Sequence, residues 1–66
     1  MDYTVSAPWS LNLKVVVYDR SDEAQDYARD LAKRYRGQLI TIKRSDGLKM
    51  LIKCSPITGE MQVTIR

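Results

Sequence analysis

The sequence predicts an α+β fold, a two-layer sandwich in which one helix packs on a four-stranded, mostly antiparallel sheet. Apolar residues alternate with others in four segments, 11–18, 38–44, 48–54 and 61–66, which is typical of strands with one buried face. Between residues 24 and 35 they recur every third or fourth position, which indicates an amphipathic helix. Turn-forming residues separate the segments. All 66 residues therefore form a single domain in the order β-α-β-β-β.

The first strand and the residues before it allow two interpretations. Within 11–18, an apolar set occupies the odd positions, and we expect this set to face the helix. The even positions, Asn12, Lys14, Val16 and Tyr18, would then face away from it. Tyr3, Thr4 and Val5 also alternate, so residues 1–10 form either a short fifth strand or an ordered arm. The odd positions are Leu11, Leu13, Val15 and Val17.

Every local signal agrees on the helix. Ser21 or Asp19 is suited to cap its N-terminus, and Gly37 is suited to end it in a left-handed conformation. Acidic residues fall in the first turn and basic residues in the last, as the helix dipole favours. The stripe expected to face the sheet contains Ala24, Tyr27, Ala28, Leu31, Ala32 and Tyr35.

The last three strands are expected to form an antiparallel meander. Ser45-Asp46-Gly47 predicts a hairpin turn, and residues 55–60, with one proline and one glycine, predict a second. The side chains expected to face the helix are Ile40 and Ile42, then Leu48, Met50, Ile52 and Cys54, then Met61, Val63 and Ile65.

The opposite face of the predicted sheet carries five cations and no acid. The net charge is +3, and residues 38–66 account for it with five basic and two acidic residues. All eight carboxylates lie instead on the helix, in turns or in the N-terminal arm. The side chains expected to form a partner-binding surface on this face are Lys14, Tyr18, Leu39, Lys43, Lys49, Leu51, Lys53 and Arg66.

Four interpretations of this basic face remain open. The lysines could serve only to solubilise a bare sheet and to protect its edges from aggregation. The face could bind an acidic protein surface or a nucleoprotein complex, which the segregation of charge favours, since a purely protective surface usually mixes both signs. A homo-oligomer with paired sheets would instead hide Leu39 and Leu51. Nucleic acid is the alternative partner, contacted at its phosphates, because only Tyr18 is available there for base stacking.

Composition excludes most catalytic chemistry. There is no histidine, so the usual general base and the commonest metal ligand are missing. The single cysteine, Cys54, falls on the predicted core face and is interpreted as structural. We therefore expect no enzyme activity, no metal and no cofactor. A small domain without a disulfide or a long apolar segment is expected in the cytoplasm, away from membranes. Trp9 either pins the N-terminal arm over the core or serves as an exposed anchor for a partner.

The helix-to-hairpin segment resembles a layout found in small phage and mobile-element proteins. Ala24-x-x-x-Ala28-x-x-Leu31-Ala32-Lys33 is followed by Gly37-x-x-Ile40-x-Ile42 and then by Asp46-Gly47. Some type I-F anti-CRISPR proteins are similar in size and in their β-α-β-β organisation. The resemblance covers about residues 21–53 and implies an inhibitor that occupies a surface of a host nucleoprotein complex.

Overall fold

A computed structural model describes residues 1–10 and 13–66 of the chain. One helix packs on one face of a five-stranded sheet, which confirms the predicted fold class. No helix in the described part of the chain is long and apolar enough to cross a bilayer. The elements are β1 (Tyr3–Ser6), β2 (Val16–Tyr18), α1 (Ser21–Arg34), β3 (Leu39–Arg44), β4 (Lys49–Cys54) and β5 (Met61–Ile65).

The strand nearest the N-terminus lies inside the sheet rather than at its margin. The strand order is β2-β1-β3-β4-β5, and all four pairings are antiparallel. Because β1 is antiparallel to both β2 and β3, those two strands point the same way. They are not neighbours, so the sheet has no parallel pair among the described residues. Of the two interpretations of residues 1–10, the short fifth strand is confirmed.

The register of β1 sets the orientation of β2. Tyr3 lies opposite Tyr18, and Val5 lies opposite Val16, so all four side chains share the helix side. Val17 lies opposite Thr4 on the other side and is 58% exposed. The faces predicted for this strand are therefore wrong, and the strand begins at residue 16 rather than 11.

The aromatic ring of Tyr18 explains why this register is favourable. Its centroid lies 5.9 Å from that of Tyr27 on α1, so the ring extends the core under the helix. Val15 is exposed and Leu13 is partly buried against the core, so only part of the predicted apolar set is covered. The predictions for Leu11 and Asn12 lie outside the described residues.

Small residues on α1 allow the helix to approach the sheet closely. Ala24, Ala28 and Ala32 are fully buried, and α1 packs against β1 to β4. The N-cap is Arg20, without a side-chain cap, so neither Ser21 nor Asp19 has the predicted role. Gly37 follows the helix with a φ of 85°, as predicted. The core contains Val5, Ala7, Ala24, Ala28, Leu31, Ala32, Ile40, Ile42, Ile52 and Cys54.

Asp46 closes the predicted turn between β3 and β4. Its carboxylate accepts hydrogen bonds from Arg44 Nε at 2.8 Å and from the backbone N–H of Leu48 at 3.2 Å. These two donors, the guanidinium first, lower the pKa of Asp46 to about 2. Gly47 adopts a φ of 101° at the turn, which fixes the register of the hairpin.

The central position of β1 predicts unequal effects for the same substitution at two valines. Val5 is 0% exposed, so Val5→Ala leaves a cavity, and we expect it to lower the free energy of unfolding by about 2–3 kcal/mol. Val17→Ala, on the exposed side of the edge strand β2, is the matched control and should cost less than about 1 kcal/mol. Urea denaturation measures both values. Equal losses would contradict the register of β1 and β2.

Candidate interaction surface

The side of the sheet that faces away from α1 is the candidate functional surface, called the open face here. Opposed residues in a sheet share a face, so the strand register assigns each side chain to it. Each strand contributes alternate residues. The open face contains Val17 of β2, Thr4 and Ser6 of β1, Leu39, Thr41 and Lys43 of β3, Lys49, Leu51 and Lys53 of β4, and Gln62, Thr64 and then Arg66 at β5.

Three cations lie side by side across β3, β4 and the end of β5, and we call them the cationic row. Lys43 lies directly opposite Lys49. Lys49 and Arg66 exchange two backbone hydrogen bonds, of 2.9 and 2.8 Å, so they also lie opposite each other. Because the backbone groups of Lys49 point toward Arg66, Lys43 and Lys49 form a non-hydrogen-bonded pair. Side chains approach most closely in pairs of this type.

No carboxylate neutralises these cations within the described residues. Ion pairs form elsewhere: Arg20 with Asp22 at 3.3 Å, Arg34 with Asp30 at 3.2 Å, and Arg44 with Asp46. In residues 1–10 and 13–66, none of the cationic row lies within 4.0 Å of an acidic group. Like charges directly opposite each other destabilise a sheet. Within the described part of the chain, these three mutually repelling cations therefore have no counter-charge.

The open face includes a shallow groove of ≈ 620 Å³. Lys43, Lys49 and Arg66 line it at one end, and Pro8 and Leu39 line it at the other. Hydroxyl groups and Leu51 lie between these two ends. Along the strand direction, the groove thus presents positive charge first, then hydrogen-bonding groups, and then apolar area. Its other lining residues are Thr4, Ser6, Thr41 and Leu51.

Six of the eight side chains predicted for the partner-binding surface lie on the open face: Leu39, Lys43, Lys49, Leu51, Lys53 and Arg66.

The other two predictions are wrong. Tyr18 lies on the helix side because it is opposite Tyr3 and packs on Tyr27. Lys14 is exposed but precedes β2, so the sheet does not hold it beside the other cations.

Thr4, Ser6 and Pro8 line the groove, although they are not among the residues predicted to form the partner-binding surface. They are missed because residues 1–10 could be interpreted as an arm. The alternation of Tyr3, Thr4, Val5 and Ser6 contains the signal, since the polar members share the face opposite to Val5.

Trp9 fixes the chain segment that follows β1. Its indole N–H donates a hydrogen bond of 2.6 Å to the backbone carbonyl of Leu39. Its ring also lies 5.3 Å from the ring of Tyr35, at the end of α1. Trp9 therefore joins β1, β3 and the helix end, which agrees with the pinning role considered for it. Tyr35 packs on this indole and remains partly exposed, rather than packing between helix and sheet.

Groups for covalent or metal chemistry are not brought together in residues 1–10 and 13–66. Cys54 is buried, and its Sγ lies 3.5 Å from the carbonyl oxygen of Gly59, so it packs as the sequence predicts. These residues contain no cluster of three side chains that could hold a metal ion. A depression beside α1, near Tyr3 and Met50, has a volume of only ≈ 20 Å³, which is room for about one water molecule.

Comparisons with protein-family models, with curated proteins and with solved structures find no match to this chain.

The position of Lys49 between two other cations predicts that reversing its charge stabilises the fold. In Lys49→Glu, two repulsive cross-strand pairs become attractive, so we expect the free energy of unfolding to rise by about 1 kcal/mol. Lys53→Glu is the matched control, in the same strand and on the same face. Its neighbours, Leu39 and Gln62, are uncharged, so its effect should stay within about 0.5 kcal/mol. Urea denaturation at low salt compares them. A loss of stability in Lys49→Glu would contradict the conclusion that the members of the cationic row repel one another.

Proposed function

We propose that this chain is a non-enzymatic interaction module that binds an acidic protein surface through its open face. The observation that carries the proposal is the cationic row, which has no counter-charge within the described residues. An anionic partner would supply that charge and remove the mutual repulsion of Lys43, Lys49 and Arg66. The relief of this repulsion would add to the free energy of binding.

Apolar area on the same surface favours a protein partner over a polyanion. Leu39 is 38% exposed at the end of the groove remote from the cationic row, and Leu51 is partly exposed between them. A partner that covers both ends must combine carboxylates with apolar side chains, as protein surfaces do. Trp9 holds the backbone of Leu39 in place, so this end of the groove is formed before binding.

Nucleic acid is the second candidate, and the hydroxyl groups near the cations support it. Thr4 lies opposite Lys43, and Thr64 lies opposite Leu51 one row further along. Cations and hydroxyls are the usual contacts to phosphate oxygens, which position a protein without reading sequence. Tyr3 and Tyr18 lie on the helix side of the sheet, so the strand residues described on the open face include no aromatic side chain, which disfavours recognition of single strands by base stacking.

The similarity to small phage proteins suggests which acidic surface is bound. We propose a host nucleoprotein complex of the type I-F CRISPR class as the target, in the cytoplasm, with inhibition by occupancy of its surface. This mode of action needs shape and charge rather than catalytic groups. It is therefore compatible with a chain that has no histidine and whose one thiol is buried.

The double variant Lys43→Glu/Lys49→Glu tests the open face directly. It reverses two members of the cationic row. The pair at 43 and 49 stays like-charged and the pair at 49 and 66 becomes attractive, so the free energy of unfolding should rise by no more than about 0.5 kcal/mol. We expect its affinity for a purified type I-F surveillance complex to fall at least about tenfold, since two charged contacts are lost. Lys33→Glu/Arg36→Glu is the control, because it makes the same change in net charge at exposed positions near the end of α1. Binding is measured by biolayer interferometry.

The two candidate partners give different results in the same assay. For duplex DNA as the probe, the logarithm of the affinity should fall with the logarithm of salt with a slope of about −2.7, from three phosphate contacts. Leu39→Ala/Leu51→Ala should leave that binding unchanged but weaken binding to a protein. Equal affinity of the wild-type chain and Lys43→Glu/Lys49→Glu for every probe would overturn the proposed surface. No binding to the surveillance complex, together with binding to duplex DNA, would overturn the protein target alone.

A further inference from the structure

The outer edge of β5 is a free hydrogen-bonding edge. Within the described sheet, β5 pairs only with β4. The bonds between Lys49 and Arg66, and from the N–H of Ser55 to the carbonyl of Glu60, show that even-numbered residues of this segment bond toward β4. In an antiparallel ladder this direction alternates. The N–H and C=O groups of Met61, Val63 and Ile65 therefore point away from the sheet.

β5 lacks the features that usually protect an edge strand. Its sequence, Met-Gln-Val-Thr-Ile, has no charge, proline or glycine. Val63 and Ile65 are 47% and 61% exposed, because α1 packs against the other four strands and does not cover these two side chains. Both lie on the helix side, as predicted, but their predicted burial is wrong. The opposite edge strand, β2, is only three residues long.

We infer that a second copy of this chain binds at this edge, with the two β5 strands antiparallel and centred on Val63. In this register each Val63 lies opposite the other, and Met61 lies opposite Ile65 of the second copy. All three outward-pointing residues then form hydrogen-bonded pairs, and each such pair exchanges two bonds. A shift of two residues in either direction loses some of these pairs, so the Val63-centred register uses the edge fully.

Charge at the two ends of β5 supports a second copy as the occupant. In the Val63-centred register, Glu60 lies opposite Arg66 of the second copy, and this pair occurs twice. Within one chain these two residues are six positions apart along an extended strand, roughly 20 Å, so they cannot pair with each other. Neither has an ion pair within the described residues. A peptide of unrelated sequence would have no reason to match both ends.

The dimer would also extend the open face, and in it Glu60 of the second copy would neutralise Arg66, so that Lys43 and Lys49 would remain the cations available to an anionic partner. The two-fold axis of an antiparallel pair is perpendicular to the sheet, so both helices lie on one side and both open faces on the other. Met61, Val63 and Ile65 of the two copies would pack together on the helix side, where each copy alone exposes apolar area. The inference does not depend on the proposed function, since dimerisation is measured without any ligand.

Charge reversal at the two ends of β5 tests both the dimer and its register. By sedimentation equilibrium, we expect the wild-type chain to dimerise. Glu60→Lys and Arg66→Glu should each raise the dimer dissociation constant about tenfold or more, because two attractive pairs become repulsive. The double variant Glu60→Lys/Arg66→Glu restores both attractive pairs and should return the constant to within about threefold of the wild type. An equimolar mixture of the two single variants should form heterodimers.

Two controls make each outcome decisive. Glu23→Lys and Arg36→Glu make the same charge changes at exposed positions away from β5, and both should dimerise like the wild type. Circular dichroism checks the folding of each variant, and heterodimer formation in the mixture also requires both single variants to be folded. A wild-type chain that stays monomeric, or that forms fibres, would overturn the inference. A dimer that ignores Glu60 and Arg66 would overturn it equally.

Discussion

Pairing of β1 with both β2 and β3 is the constraint on which the rest of the structure depends. It buries Val5 at the centre of the sheet and sets the face of every residue in β2. It also places Thr4 beside Lys43 on the open face. A strand has a two-residue period, so a slip by one residue would exchange the two faces completely. The register of this central strand therefore determines both what the helix covers and what remains open to a partner.

Segregation of charge follows from the same registers. The turn between β3 and β4, closed by Asp46, brings Lys43 opposite Lys49, and the pairing of β4 with β5 adds Arg66. Most acidic residues occupy the helix and the turns, and three of them, Asp22, Asp30 and Asp46, pair there with nearby arginines. One helix of 14 residues cannot cover both faces of a five-stranded sheet. One face is consequently left bare, and it is the face with unneutralised cations.

Local patterns were sufficient to predict the helix, the β3–β4–β5 meander and the open-face position of six of the eight side chains predicted to bind a partner. In these segments the alternation is unambiguous, and glycines at the turns fix the register. The orientation of β2 could not be predicted in this way. Val15, which precedes this strand, and its residues Val16, Val17 and Tyr18 are apolar at odd and even positions alike, so alternation does not choose between faces. Pairing with β1, a contact distant in sequence, decides the orientation and removes Tyr18 from the predicted site.

Binding of an acidic partner at the open face requires that anions bind there beside the cationic row. Nuclear magnetic resonance of the ¹⁵N-labelled chain, titrated with inorganic pyrophosphate, locates such binding residue by residue. We expect the largest amide shifts at Lys43, Lys49 and Arg66, with little change along α1. If the largest shifts occurred at Lys33 and Arg36 instead, or if no shift at the open face were saturable, the cationic row would not be the anion-binding site.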